Sequence, residues 1–179
     1  NLVYSFPSEA NLDVFVMSED KFKEYEWKLD LAFKELDKGK YKNYKSKIDS
    51  KMKYITDVKF AMGFESQPLV VNKDYSFFFQ FTNENSDNKV DFKSFNIELP
   101  NGIKFNDCNY LKDEEFLGVI NKQLNSEDRV TEKFECLVDV NQDAFGNSKA
   151  NILMVYPPIN AALSYDNVLK KEIKIKLNN

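Results

Sequence analysis

Pro68-Leu-Val-Val-Asn-Lys-Asp-Tyr-Ser-Phe-Phe-Phe-Gln-Phe-Thr-Asn83 is answered by Ser94-Phe-Asn-Ile-Glu-Leu-Pro-Asn-Gly-Ile-Lys-Phe105. Both runs alternate aromatic or β-branched residues with polar ones, the period of a strand that turns one face to a core. Asn83–Asn88 between them and Pro100-Asn101-Gly102 are built from turn-forming residues. The reading is two paired strands of an antiparallel β-sandwich. Neither run carries a reactive group, so this feature speaks to scaffold rather than chemistry.

Working outward, the same strand grammar recurs. Leu2-Val-Tyr-Ser-Phe6 and Leu12-Asp-Val-Phe-Val-Met17 read as two strands split by Pro7-Ser8. Val58-Lys-Phe-Ala-Met-Gly-Phe64 and Leu69-Val-Val71 lead into Tyr75–Thr82, and Val90–Leu99 follows. Residues 106–128 are mostly polar around one apolar piece, Phe116-Leu-Gly-Val-Ile120. Then come Val130–Val140, a loop at Asn141–Ser148, Ala150–Tyr156, a break at Pro157-Pro158, and the strictly alternating Glu172-Ile-Lys-Ile-Lys-Leu177. Short strands at this spacing suit a sandwich.

One stretch departs from it. Ser18 offers an N-cap before Glu19 and Asp20, and Phe22, Tyr25, Leu29, Ala32, Phe33 and Leu36 share one helical face. After Gly39 the apolar phase shifts to Tyr41, Tyr44, Ile48, Met52 and Ile55. This predicts two helices with Gly39 as the C-terminal cap, a single kinked helix being the alternative. The expected class is therefore α+β: residues 1–53 form strands plus an αα-hairpin, and residues 54–179 form the sandwich.

Composition bounds the chemistry. With 42% hydrophobic residues, 16 Phe and 9 Tyr among 179 residues, the chain can bury a sizeable core. It contains no histidine, which excludes Ser-His-Asp and Cys-His hydrolases and every histidine-ligated metal site. No apolar run is long enough to span a bilayer. The first residue is Asn1 and no charged-then-apolar leader follows, so the expectation is a trimmed chain or a mature one whose leader or anchor was removed. Lys38, Lys40, Lys42, Lys45, Lys47, Lys51 and Lys53 face only Asp49, giving +6 in a chain of net charge −4 and leaving −10 elsewhere. Arg129 is the single arginine, so the forked donors favoured for phosphates and base edges are almost absent and nucleic acid is not an expected partner.

Residues about 58–179 resemble the immunoglobulin-like modules of bacterial and archaeal cell-surface proteins. The resemblance rests on Pro68 followed by Phe79-Gln-Phe-Thr-Asn83, and on Leu99-Pro-Asn-Gly-Ile103. It implies a sandwich that spaces domains or presents a surface to a protein or a glycan. It implies no catalytic residues. The only Trp, Trp27, precedes both cysteines rather than lying between them, a departure from antibody-type domains.

Candidate sites are few. Cys108 and Cys136 form either one disulfide or two buried thiols, and cannot make a four-thiolate zinc site alone. Asp139, Asn141 and Asp143 have the spacing of the first half of a calcium loop, but Ala144 replaces its glycine and Ala150 its closing Glu. A plain loop is the competing reading, and calcium is the only cofactor considered. Lys40, Lys42, Lys45, Lys47 and Lys51 would suit an anionic surface, against the reading of a solvated helix face. Asp113-Glu114-Glu115 and Glu127-Asp128 read as solvated acids. Tyr156–Leu163 reads as an apolar loop, exposed for recognition or closing one end of the sandwich. The expected function is non-enzymatic, a cell-envelope or extracellular protein acting by contact with another protein or cell-surface component. Membrane anchoring would come only through a segment outside this chain. The alternative is a ligand-binding domain for calcium or a glycan; a carboxylate enzyme comes third.

Overall fold

Phe77, Phe79 and Phe81 are fully buried while Phe78 and Gln80 between them are only half so, the alternation expected of a strand with one face in a core. In the computed structural model, which describes residues 2–25, 51–52, 57–85, 87–112, 115–148 and 152–169, this strand is central to one of two sheets. The strands are β1 (Leu2–Met17), β2 (Lys51–Met52), β3 (Val58–Phe64), β4 (Leu69–Val70), β5 (Lys73–Asn83), β6 (Asn88–Glu98), β7 (Ile103–Asp107), β8 (Phe134–Val140) and β9 (Ile152–Leu169). The first sheet runs β2-β1-β9-β6, with β4 joined to β1 in parallel; the second runs β3-β5-β8-β7. They face each other across one hydrophobic core, a β-sandwich.

The two diagnostic runs do not pair. Both hydrogen-bonding edges of β5 are taken, by β3 (Phe60↔Phe81) and β8 (Phe77↔Cys136), whereas β6 pairs with β9. What joins β5 to β6 is ring packing: Phe81 meets Phe92 at 5.0 Å between centroids, and Phe79 meets Phe95 at 5.4 Å. The polar turn after Asn83 therefore carries the chain from one sheet to the other. Leu99–Gly102 does the same between β6 and β7, and Asn141–Ser148 between β8 and β9. Turn residues permit a reversal; they do not say whether the returning strand lies beside its predecessor or across the core.

The expected α+β class with an N-terminal αα-hairpin is overturned, for the described residues are mostly β-sheet with one substantial helix among them. Lys51 and Met52, expected in the second helix, form β2 against Asn11 and Ala10 of β1. Apolar residues at helical spacing over so short a span also satisfy a strand pairing, and here the sheet edge won. Helix α1 is Glu19–Tyr25, with Phe22 N donating to Ser18 O as expected of its start; residues 26–50, which hold most of the predicted hairpin, lie outside the described residues, as does 172–177. The substantial helix, α2 (Phe116–Leu124), falls in the stretch read as polar, its signal being Phe116, Ile120 and Leu124 at every fourth position, all buried.

The N-terminal strand is also longer than its prolines suggested. β1 and β9 pair continuously from Leu2↔Leu169 to Met17↔Ile152, joining residues 2–17 to residues 152–169 across the predicted boundary at 53/54. Pro7 lies within the ladder opposite Ser164, and the predicted Pro157-Pro158 break is a bulge: Leu12 pairs Ile159 and Val14 pairs Val155, leaving Tyr156, Pro157 and Pro158 against Asp13. A bulge absorbs residues that cannot donate to the ladder. Beyond it Ile159, Ala161 and Leu163 are buried strand residues rather than a closing loop.

Side-chain amides complete the sheet edges. Gln67, 3% exposed, accepts from Phe15 N at 2.8 Å and donates to Asp13 O at 3.2 Å, extending β1 where β4 begins. On β6, the edge of its sheet, Asn125 accepts from Val90 N at 2.9 Å and donates to Val90 O at 2.7 Å. Asn121 accepts from Phe92 N at 2.6 Å and donates to Phe92 O at 3.3 Å. Four residues of helix rise about 6 Å and two of strand about 6.8 Å, so asparagines at i and i+4 match alternate strand residues. Helix α2 thus stands in for a neighbouring strand.

Two outcomes follow from this architecture. Replacing Asn121 and Asn125 together by Ala should cost about 2–3 kcal/mol in urea denaturation, since strong edge bonds are lost with partial access to water. It should also uncover the β6 edge, giving a larger species by light scattering. Gly102, at φ +80°, leaves no room for a Cβ, which would sit 1.9 Å from Ala144 N. Gly102→Ala is therefore expected to lower stability by more than about 3 kcal/mol in the same assay.

Candidate functional site

On β8 the buried residues Phe134, Cys136 and Val138 alternate with exposed Glu135 and Leu137, so the latter pair stands on the outer face of the second sheet. Register places Leu137 opposite Ser76 of β5 on one side and Asp107 of β7 on the other. Cys108, which follows β7, is disulfide-bonded to Cys136, with 4.6 Å between their Cα atoms. The bond ties the end of β7 to the middle of β8.

On the outer face of this sheet lies an open cleft of about 540 Å³, lined by Ser76, Asp107, Tyr110, Glu135 and Leu137. Asp107 adjoins Cys108 in sequence and Tyr110 lies two residues beyond it; Glu135 and Leu137 flank Cys136. Tyr110, in the 3-10 turn Asn109–Lys112, is held by ring contacts to Phe134 (5.2 Å) and Phe116 (6.0 Å) yet stays 39% exposed. Leu137 is 40% exposed, large for an aliphatic residue in the middle of a sheet. The lining therefore combines two carboxylates, a hydroxyl, a phenol and an apolar patch, with no cationic side chain among the described residues. Such a surface accepts hydrogen bonds and positive charge and offers apolar area beside them.

The predicted sites are dispersed. Asp139 is half-buried on β8, in register with Asp74 and Lys104. Asn141 uses its side-chain oxygen to accept from Asp143 N at 2.9 Å, capping the 3-10 turn Gln142–Phe145, and Asp143 is exposed. The calcium-like spacing thus builds a capped turn, and among the described residues no three His, Cys, Asp or Glu side chains cluster as a metal site would require. Lys40, Lys42, Lys45 and Lys47 lie outside the described residues, as do Asp113 and Glu114, whereas Lys51 is in β2. Glu115, Glu127 and Asp128 are exposed.

Sequence reasoning missed all five cleft residues. A signal existed: on a strand, the neighbours of a buried cysteine point outward, so a Cys108–Cys136 bond would bring Asp107, Glu135 and Leu137 near one another on the outer face. No known protein family, no curated protein and no solved structure matches this chain.

The disulfide closes a segment with a sequence separation of 28. Loop-closure entropy over that length is worth about 3–4 kcal/mol. Cys108→Ser with Cys136→Ser, or addition of reductant, should lower unfolding stability by about that amount in denaturant titrations. A change well under about 1 kcal/mol would show that the cross-link adds nothing the ladder does not already supply.

Proposed function

We propose that this protein is a non-enzymatic binding module of the cell envelope or extracellular space, holding a cationic segment of another protein in the cleft beside Cys108–Cys136. The observation that carries this reading is the lining itself, where Tyr110 and Leu137 share one cleft with Asp107 and Glu135. A lysine or arginine can lay its apolar stem on the ring and the leucine while its charged head reaches the carboxylates. Aromatic residues held on one side and exposed on the other commonly anchor interfaces.

Support for the location is coarser. A disulfide is compatible with an oxidising compartment, and no helix among the described residues is long and apolar enough to cross a membrane. The kinship with immunoglobulin-like surface modules belongs to the same proposal and rests on Pro68–Asn83 and Leu99–Ile103 alone. The absence of histidine from the sequence supports binding over acid–base catalysis.

A second reading has its own support: Tyr110 with hydroxyl and carboxylate neighbours could stack a sugar ring and accept its hydroxyl donors. A titration with a lysine-rich peptide, followed by NMR, separates the two. Saturable shifts at Ser76, Tyr110 and Leu137 are expected, weakened about tenfold in Asp107→Asn with Glu135→Gln and by added salt. Shifts from a neutral oligosaccharide that ignore both salt and the double substitution would transfer the cleft to the glycan reading. Silence from both probes would remove the cleft as the site.

A further inference from the structure

A second cavity, of about 240 Å³, lies at the end of the sandwich where α2, the start of β6 and the end of β9 meet, away from the cleft of the second sheet. Asn83, Asn88, Lys89, Asn125, Ser126 and Arg129 line it. Arg129 is the sole arginine of the chain, half-buried, and pairs with no carboxylate among the described residues. A guanidinium partly withdrawn from water without a direct ion pair is poorly compensated, and its planar fork matches a carboxylate in two parallel hydrogen bonds.

The position of Arg129 is fixed by the fold. Its carbonyl oxygen accepts from Asn83 N at 2.8 Å, Thr131 N donates to Phe81 O at 3.0 Å, and Val130 bridges Thr82. These bonds hold Arg129 at φ +53°, a conformation that costs free energy outside glycine. The side chain thus projects from an anchored backbone, as a preorganised ligand contact should. Lys89, exposed and likewise without an ion pair among the described residues, adds a second positive charge to the lining.

We propose that this cavity binds the carboxylate of an acidic sugar, with Arg129 as the principal contact and Lys89 assisting. One feature favours a hydroxylated monoanion over a phosphate dianion. Asp87 also lines the cavity and would repel a second negative charge while accepting from hydroxyl donors. The volume is below the range of drug-sized pockets, about 300–1,000 Å³, and suits one sugar ring rather than an oligosaccharide. This site is separate from the proposed protein-binding cleft, and neither reading depends on the other.

The test is an NMR titration of the intact chain at low salt with sodium glucuronate, alongside glucose, acetate and inorganic phosphate. Glucuronate should give saturable shifts at the Lys89, Leu124, Arg129 and Val168 amides with millimolar affinity, and glucose should bind about tenfold more weakly. Arg129→Met should weaken glucuronate about tenfold and Arg129→Lys by less, because the charge survives but the fork does not. Should Arg129→Met fail to fold, Lys89→Met serves, with about a threefold loss expected. Absence of saturation by glucuronate, equal binding of glucose, or binding of acetate and phosphate as tight as glucuronate would each overturn the proposal.

Discussion

The phenylalanine rings between the two sheets are the interaction on which the rest of the structure depends. Phe77 and Phe79 of β5 have a strand on each side, and Phe81 has β3 on one side and Thr131 on the other, so only their inward face remains to bind the other sheet. Phe92 and Phe95 of β6 meet that face, and Tyr165 of β9 stacks behind Phe92 at 5.9 Å. Burying aromatic surface of this extent is the largest favourable contribution available to a chain with one disulfide and few ion pairs among its described residues. The ring network also reaches the outside. Phe79 contacts Phe134 at 5.3 Å and Phe134 contacts Tyr110 at 5.2 Å, so one wall of the cleft is a continuation of the core.

A sandwich made this way still has to manage its edges, and the chain does so with amides. Gln67 on β1 and Asn121 with Asn125 on β6 each present a donor and an acceptor to one strand, imitating a peptide unit. Thr131 serves β5 similarly, its hydroxyl accepting from Phe81 N at 3.0 Å. At one end of the molecule the device becomes a cluster: Asp57 accepts from both Asn88 and Asn167, while Asn83 donates to Asn88 O and Leu124 O. Such contacts satisfy backbone groups at fixed positions and so specify register as well as stability. They also leave the second cavity walled by asparagines whose hydrogen bonds are largely committed, with Arg129 and Lys89 as the charges that carry no ion pair among the described residues.

The outer cleft arises from the same economy. Its residues are the sequence neighbours of two cysteines, so the cross-link that ties β7 to β8 also sets the spacing of Asp107 and Tyr110 against Glu135 and Leu137. The sequence allowed a Cys108–Cys136 bond, and a strand through Phe134–Val140 was legible from its alternation. The cleft was not, because its parts come from β5, β7, β8 and a 3-10 turn whose adjacency depends on strand order. The spacing at Asp139–Asp143 left two readings open, a calcium loop and a plain loop. Local oxygen spacing is shared by ion loops and by Asx-capped turns, and only the direction of the Asn141 side chain separates them.

The sequence by itself determined which residues face inward. Period-two alternation in Val58–Phe64, Lys73–Asn83 and Asn88–Glu98 marked strands and their buried faces within a residue or two. It also determined that histidine chemistry is absent. The tertiary structure decided everything that depends on which strand lies beside which. That includes the crossing of β5 to β6 between sheets, the single long β1 running through Pro7 and opposite the bulge at Pro157-Pro158, and the strand at Lys51–Met52 where a helix was expected. The physical reason is that alternation encodes burial, which is a property of one strand. Pairing is a property of two, selected by the burial of all the rings at once and by the satisfaction of every edge.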